Sequence, residues 1–495
     1  MVAENGKASL IGRLSSVIPL GLFVTLIVLL PRVAAGTVLR IHIDWISSLG
    51  INLSLVIDGL SLLFGLTISC VGFFVSVYAA DYLPESANRG RFFTYLHGFL
   101  LAMLGLVMAD NILSLFVFWE LTTIISYLLI GFECESDSAR RNARQALLVT
   151  GSGGLALLIG FLLLGGVADT YDLSQLTGLT ATIKTSPVYL AVLLMVFIGA
   201  FTKSAQFPFH FWLPNAMSAP TPISAFLHSA TMVKAGIYLL ARLHPILGGT
   251  AAWMGTLVIV GGVTALIGAI LAIQASDLKR ILAFTTIMAL GILTMFLGGK
   301  TTPALTAAMT FLMVHFLYKS SLFLAVGIID HQTGTRNIDR IGGLWQSMPM
   351  TALASVAAAF SMAGFPLFFG FIGKEIMYKG ALTEELFPAF ATTVTLLANA
   401  LMTAVAGLLA IKPFMGARPP TPIEPREAPP AMWLGPAFMG GLGLVFGIVP
   451  DWVGQWLIEP AVRSFHPSME NIELKLFYGF NEPLLLSVAT LSLGG

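Results

Sequence analysis

Charge is scarce in this sequence. Of its 495 residues only 10% are Asp, Glu, Lys or Arg, where a soluble domain carries roughly 25%. That deficit excludes an ordinary water-solvated surface and makes lipid the principal solvent. The net charge is +1, which argues against a nucleic-acid partner and against a polybasic membrane tether. Cysteine is also scarce: Cys70 and Cys134 are too few and too far apart for a metal cluster or a disulfide scaffold, and Cys70, inside an apolar run, reads as packing. No glycine-rich nucleotide loop, haem motif or cysteine cluster occurs, so the chain lacks obvious machinery for redox chemistry or ATP hydrolysis, and no cofactor is expected. Long polar loops are missing too. The longest connection, Asp451 to Leu476, and the proline-rich stretch from Arg418 to Pro430 read as surface connections or docking segments.

What the chain has in quantity is apolar sequence, 56% of all residues. Stretches of roughly 17 to 25 apolar residues cross a bilayer as helices. About fourteen are found, near 16–31, 54–80, 92–109, 111–132, 145–166, 188–212, 220–242, 251–273, 280–297, 302–329, 349–375, 388–414, 431–449 and 477–494. The predicted fold class is therefore all-α, a polytopic membrane protein embedded in a lipid bilayer. Asp110-Asn111 forms the only corner between the third and fourth spans. Lys7 and Arg13 before Val17–Leu30, with Val33-Ala34-Ala35 behind, have the outline of a signal peptide; a spanning helix explains the same run and is preferred. With the N-terminus inside, the inner loops collect thirteen Lys and Arg residues, Lys279 among them, against eight outside, Arg242 among them. This bias predicts both termini in the cytoplasm.

The centre of the chain is Val192 to Arg242. Lys203 and Lys234 lie there in apolar helix, where an uncompensated charge costs on the order of 3 kcal/mol or more. Pro208, Pro214, Pro220 and Pro222 stand between them, so broken helix is expected beside intramembrane charge, the pattern of an ion pathway. Pro208 lacks an N–H, which predicts that the Ser204 carbonyl loses its helical donor and is free to stabilise an ammonium. Ser204-Ala205-Gln206-Phe207-Pro208 on the sixth span reads like Met362-Ala363-Gly364-Phe365-Pro366 on the eleventh. The offset of five spans inverts the second copy, which predicts two inverted five-helix repeats, each with a broken helix. The chain then divides into N-terminal helices (1–91), two channel halves (92–242 and 251–414) and a C-terminal loop with further helices (415–495).

Further charges lie along this path. Glu120, flanked by apolar residues in the fourth span, is expected to pair with a cation or to take a proton; the competing role is an interfacial helix end. Lys203 competes with a snorkelling role. His228 precedes Lys234 by six positions, so helical geometry does not put them on one face. His315 and Lys319, four apart, do share one. Lys374 follows Pro366 by eight positions with Glu375 beside it. Each histidine is equally compatible with a satisfied core role, whereas several buried lysines accumulate a desolvation cost that function explains. Glu120 and Lys203 form a candidate ion-pair switch whose opening sends a proton toward Lys234.

At these residues the chain resembles the antiporter-like subunits of respiratory complex I and of Mrp-type multisubunit cation/proton antiporters. The stretches that carry the resemblance are FVFWELTTIISYLLIGF (116–132), KSAQFPFHFWLPNAMSAPTPISAFLHSATMVKAG (203–236), SDLKRILAFTTI (276–287), HFLYKSSLFL (315–324) and SMAGFPLFFGFIGKE (361–375). It covers about residues 50–495. It implies a glutamate–lysine pair at Glu120 and Lys203, a central lysine at Lys234, Lys319 and Lys374 toward the exit, and relay histidines at His228 and His315. Within that family the chain is most similar to the large A-type Mrp subunit, through DHQTGTRNIDRIGGL (330–344), the closing NEPLLLSVATLSLGG and the glycines of VTGSGGLALL (149–158). A first family helix is not seen, and the A-type subunit continues into further helices, which implies either a short or split form or another chain that supplies the remainder.

The resemblance implies a proton-translocating transporter subunit rather than an enzyme. It would exchange Na⁺ or K⁺ for protons, with other membrane subunits as partners, in a bacterial or archaeal cytoplasmic membrane. The alternative is the proton-pumping, L-like membrane subunit of an NADH–quinone oxidoreductase or membrane-bound hydrogenase.

Overall fold

The computed structural model describes residues 14–46, 51–83, 88–469 and 471–495; Lys7 and Arg13 lie outside them. The chain is built from α1 (Val17–Ala34), α2 (Gly59–Tyr82), α3 (Arg89–Met108), α4 (Ile112–Ile130), α5 (Asp137–Ala168), α6 (Tyr189–Lys203), α7 (Thr221–Ser229), α8 (Ala235–Leu247), α9 (Ala251–Gln274), α10 (Leu278–Gly298), α11 (Thr302–Thr333), α12 (Pro349–Ala363), α13 (Phe369–Leu382), α14 (Pro388–Ile411), α15 (Pro430–Ile448) and α16 (Glu482–Gly494), with short helical turns between. Among the described residues, eleven helices are long and apolar enough to cross a membrane, with α7 and α8 taken as one. Three shorter apolar helices, α6, α12 and α16, occupy the sixth, eleventh and fourteenth expected spans. The molecule is a mostly helical, multi-pass membrane protein.

Capping residues set the helix ends. Asp58 accepts from the Ser61 N–H at the start of α2 in a reciprocal capping box. Asn111 accepts from Leu113 and Ser114 to start α4, so the Asp110-Asn111 corner separates the third and fourth spans as expected. Gly334 closes α11 at φ 73°, a left-handed position that glycine fills without a Cβ clash.

A small β structure between α1 and α2 departs from the all-α expectation. Leu39–Ile41 pairs antiparallel with Leu55–Ile57, and Asp44–Ile46 with Ile51–Asn52. Segments of two and three residues are too short for alternation to register in sequence.

Among the described residues, three helices are buried throughout their most apolar 18 residues: α7 with α8, α10 and α11. A helix apolar all round belongs in the centre of a bundle, and these three carry His228, Lys234, Lys279, His315 and Lys319, whereas Lys203 and Lys374 lie on α6 and α13. Helices α1 and α5 keep most of their length on the outer face.

Both expected breaks exist. α6 stops at Lys203 and α12 at Ala363. Each is closed alike: Gln206 N–H to Phe201 C=O (2.9 Å) and Phe209 N–H to Gln206 C=O (2.6 Å), against Phe365 N–H to Phe360 C=O (2.9 Å) and Phe368 N–H to Phe365 C=O (3.2 Å). The backbone therefore equates Gln206 with Phe365, one residue out of the register that sequence similarity gives. A third break, between α7 and α8 at Ala230–Lys234, contains no proline. Pro220 and Pro222 instead start α7, where a missing N–H costs nothing.

Candidate functional site

Lys203 is the last residue of α6 and is fully buried. Its ammonium donates to the Trp119 carbonyl (3.0 Å) and to Thr123 Oγ1 (2.7 Å), both on α4, and lies 4.9 Å from the centre of the Trp119 ring. The Ser204 carbonyl, expected to be free for it, is taken by Gln206 Nε2 at 2.9 Å. Glu120 sits beside Trp119, half-buried, and its Oε1 has no hydrogen-bond partner. It lies against α5, where a Cβ on Gly154 would come within 1.8 Å of Oε1 and one on Gly153 within 1.8 Å of Thr202 Oγ1. Gly154 thus makes room for the carboxylate and Gly153 for Thr202. Glu120 Oε1 makes no hydrogen bond to Lys203 in this structure.

Lys234 is equally buried and ends the short turn that follows the third break. Its ammonium reaches back to the Ser229 carbonyl, the last of α7. His228 lies on the other side of the break, so no continuous helix relates the two. The breaks at Lys203 and Lys234 are tied together, because Ser204 Oγ donates to the Val233 carbonyl at 2.6 Å.

His315 and Lys319 lie on unbroken α11 and share a face, as their spacing predicts. Lys319 donates to the Leu282 carbonyl (3.1 Å) and to Thr285 Oγ1, both on α10. Both ring nitrogens of His228 and of His315 are buried without a hydrogen-bond partner, as are Tyr318 Oη and Thr310 Oγ1. Buried polar atoms are nearly always partnered, by protein or by water. These orphans mark a stretch of core whose hydrogen-bonding demand the protein leaves unmet.

Lys374 belongs to α13, beyond the second break, and donates back to the Ala363 carbonyl that ends α12. Glu375 is buried beside it with Oε1 unpartnered. All four lysines are therefore seated on backbone carbonyls, two at helix breaks and two on the flanks of neighbouring helices.

Several members were not read from the sequence. Lys279, counted above as an inner-loop charge, is 2% exposed and donates to the Ala219 carbonyl at 2.9 Å. Arg242, counted as an outer-loop charge, is buried and grips Asp58 through Nη1 (2.5 Å) and Nη2 (2.9 Å), while its Nε donates to Tyr238 Oη at 2.9 Å. Burial alone would raise the Asp58 carboxyl, but the guanidinium outweighs it and holds the group below its ordinary range. Thr123 and Thr285 were missed too; the Thr-Thr pairs at 122–123 and 285–286 are the signal that marks them.

Fold and site together define a multi-pass membrane protein with titratable groups seated through its core. A family model described as NADH:quinone oxidoreductase/Mrp antiporter, TM, matches residues 109–399, and one described as NADH-Ubiquinone oxidoreductase (complex I), chain 5 N-terminus, matches residues 43–93. The chain belongs to the NADH:quinone oxidoreductase/Mrp antiporter membrane family. It is 42% identical over 477 residues to a probable A/B-type K(+)/H(+) antiporter subunit of Rhizobium meliloti, covering 94% of this chain and 47% of that protein. It is 39% identical to the A-type Na(+)/H(+) antiporter subunit of Alkalihalophilus pseudofirmus, covering 97% and 63%. The chain thus spans about half to two-thirds of the length of these relatives.

Among solved structures, the Mrp complex from Dietzia sp. DQ12-45-1b contains a chain 33% identical, with TM-score 0.88, matched over 100% of this chain and 55% of that one. A chain of the archaeal membrane-bound sulfane sulfur reductase shares the fold at 21% identity and TM-score 0.81, over 99% and 98% of the two chains.

Proposed function

We propose that this chain is a proton-translocating subunit of a multisubunit Na⁺ or K⁺/proton antiporter, a secondary transporter rather than an enzyme. Protons move along Glu120, Lys203, Lys234, His228, His315, Lys319 and Lys374. The observation that carries this reading is the burial of four lysines, each with its ammonium on a backbone carbonyl. Groups so placed are costly to keep unless they bind and release protons. Water drawn to the orphaned nitrogens of His228 and His315 completes the path between Lys234 and Lys319.

The two channel halves, 92–242 and 251–414, each contain a break closed by the same backbone bonds, which supports a repeated architecture. Other membrane subunits are the partners, which the match to a chain of the Mrp complex supports. The location is the cytoplasmic membrane of a bacterium or archaeon, with both termini on the cytoplasmic side. The redox-driven, L-like alternative has fold likeness behind it but less identity than the antiporter relatives.

The test is proton flux in vesicles holding the assembled complex, driven in turn by Na⁺, K⁺ or NADH. Lys203→Ala and Glu120→Ala should each lower cation-driven flux by roughly a hundredfold, the scale of a lost proton-transfer group. Full cation-driven flux in both variants removes the proposed switch, and flux that only NADH drives establishes the alternative.

A further inference from the structure

Among the described residues, two carboxylates keep a buried oxygen without a hydrogen-bond partner, Glu120 and Glu375. They differ in what balances their charge. Lys203 acts on Glu120, whereas no cationic group acts on Glu375. Lys374, the preceding residue, points about 100° away around α13 and gives its ammonium to the Ala363 carbonyl. Lys379, one turn on, is exposed and does not act on the carboxylate. Glu375 itself is 3% exposed. A carboxylate that stays ionised in such a place without a countercharge is costly.

Glu375 is reachable from solvent. It forms the buried floor of a cavity of about 350 Å³ at the end of α13, with Lys379 and Thr383 exposed at the rim and Tyr478, Asn481 and Pro483 on the facing wall. That wall leads into α16, which Asn481 caps. Helix α16 lies tight against its neighbours: Thr490 is joined to Tyr378 of α13 through their hydroxyls, and a Cβ on Gly494 would come within 2.3 Å of the Ala400 carbonyl on α14. From α16, Ser487 is the one side chain that acts on Glu375. Ser487 is fully buried, and its Oγ also has no hydrogen-bond partner. Buried polar atoms are nearly always partnered, by protein, water or an ion.

We propose that Glu375 and Ser487 form the binding site for the exchanged alkali cation, Na⁺ or K⁺, which enters through the cavity at the end of α13. This deepens the antiporter reading above and rests on it. Hard cations take oxygen ligands, carboxylates foremost. Here a carboxylate and a hydroxyl from two different helices present oxygen to one point, and water in the cavity supplies the remaining ligands. A proton would neutralise Glu375 too, yet it needs neither the facing hydroxyl nor a cavity with room for a hydrated ion. The bound cation would sit one residue along the chain from Lys374, the last lysine of the proposed proton path, so one short helix carries both exchanged charges.

The experiment treats the purified assembled complex with a hydrophobic carbodiimide, which labels buried carboxyl groups, and reads Glu375 by peptide mass spectrometry in Na⁺, K⁺ or choline. The coupling cation is expected to slow labelling roughly tenfold at about ten times its Kd. Equal labelling in all three salts overturns the proposal, and so does a Glu375 that choline leaves unlabelled, since the cavity would then not reach it. In vesicles, Ser487→Ala is expected to raise KM for the cation roughly tenfold, about one contact to a charged group, an effect that saturating cation overcomes. Glu375→Gln is expected to lose cation-driven flux.

An unchanged KM in Ser487→Ala, or full flux in Glu375→Gln, also overturns the site. Full flux in Lys203→Ala would instead bring down the proton path while cation protection of Glu375 persists, so the two failures are separable. Should Glu375→Gln fail to assemble, protection in the wild type and the KM of Ser487→Ala decide.

Discussion

Gly154 and Gly166 lie on the same helix, α5, and differ in what a methyl group would meet. At Gly154 a Cβ would press on Glu120 Oε1 at 1.8 Å, whereas at Gly166 it would meet nothing within 4 Å. Gly154→Ala is therefore expected to displace the carboxylate and lower proton flux by roughly tenfold, the factor that a misplaced catalytic group loses readily. Gly166→Ala should leave flux unchanged and gain up to about 1 kcal/mol of helix propensity. Flux in vesicles, read beside the yield of assembled complex, checks both.

The Arg242–Asp58 pair gives a second prediction at this scale. Asp58→Asn strands a buried guanidinium and should cost about 3–5 kcal/mol, read as a lower thermal midpoint of the purified complex. Because Asp58 is held below its ordinary value, its contribution is fully present above the unfolded pKa of about 3.9 and is lost as pH falls through the lower folded value. The gap between wild type and Asp58→Asn should stay level between about pH 5 and 8 and close only in stronger acid. A gap that widens toward acid would refute the sign.

Helix breaks, and the way they are laced together, decide how the lysines act on one another. Ser204 Oγ on the Val233 carbonyl ties the end of α6 to the turn that carries Lys234. Ser204→Ala should cost about 1 kcal/mol in stability yet slow flux severalfold, since Lys203 and Lys234 would lose their mechanical link. A double-mutant cycle with Lys234→Ala measures this coupling; additive effects would exclude it.

The breaks also show what was legible in the residues. Pro208 and Pro366 announce theirs, because a missing N–H is a local property of the sequence. The break at Ala230 is announced by nothing local. It is held by Lys234 folding back on Ser229 and by Thr231 Oγ1 bonding the Phe226 carbonyl at 2.6 Å, contacts across five residues that neither a proline nor a glycine marks in the sequence. The buried lysines themselves were legible from apolar context alone. Their acceptors were not, since a main-chain carbonyl has no letter of its own, and the same holds for the Ser204 carbonyl that Gln206 claims. Arg242 and Lys279 were misread as loop charges because they lie within reach of span ends, where snorkelling and burial look alike in sequence.

For the molecule as a whole, orientation is testable through its two thiols. Cys70 is buried and Cys134, in the α4–α5 connection, is exposed. If the proposed orientation holds, that connection, next to Arg140, Arg141 and Arg144, faces the cytoplasm. A membrane-impermeant maleimide should label inverted vesicles and leave right-side-out vesicles unlabelled; the opposite pattern would invert the topology.

The way the lysines are anchored also bears on how such a chain can change over time. For Lys234 and Lys374 the group that receives the ammonium is peptide backbone, at Ser229 and Ala363. No codon change deletes a carbonyl, so drift among the neighbouring side chains leaves those two anchorages in place, and genetic screens for lost transport should recover the lysines themselves far more often than the residues that hold them.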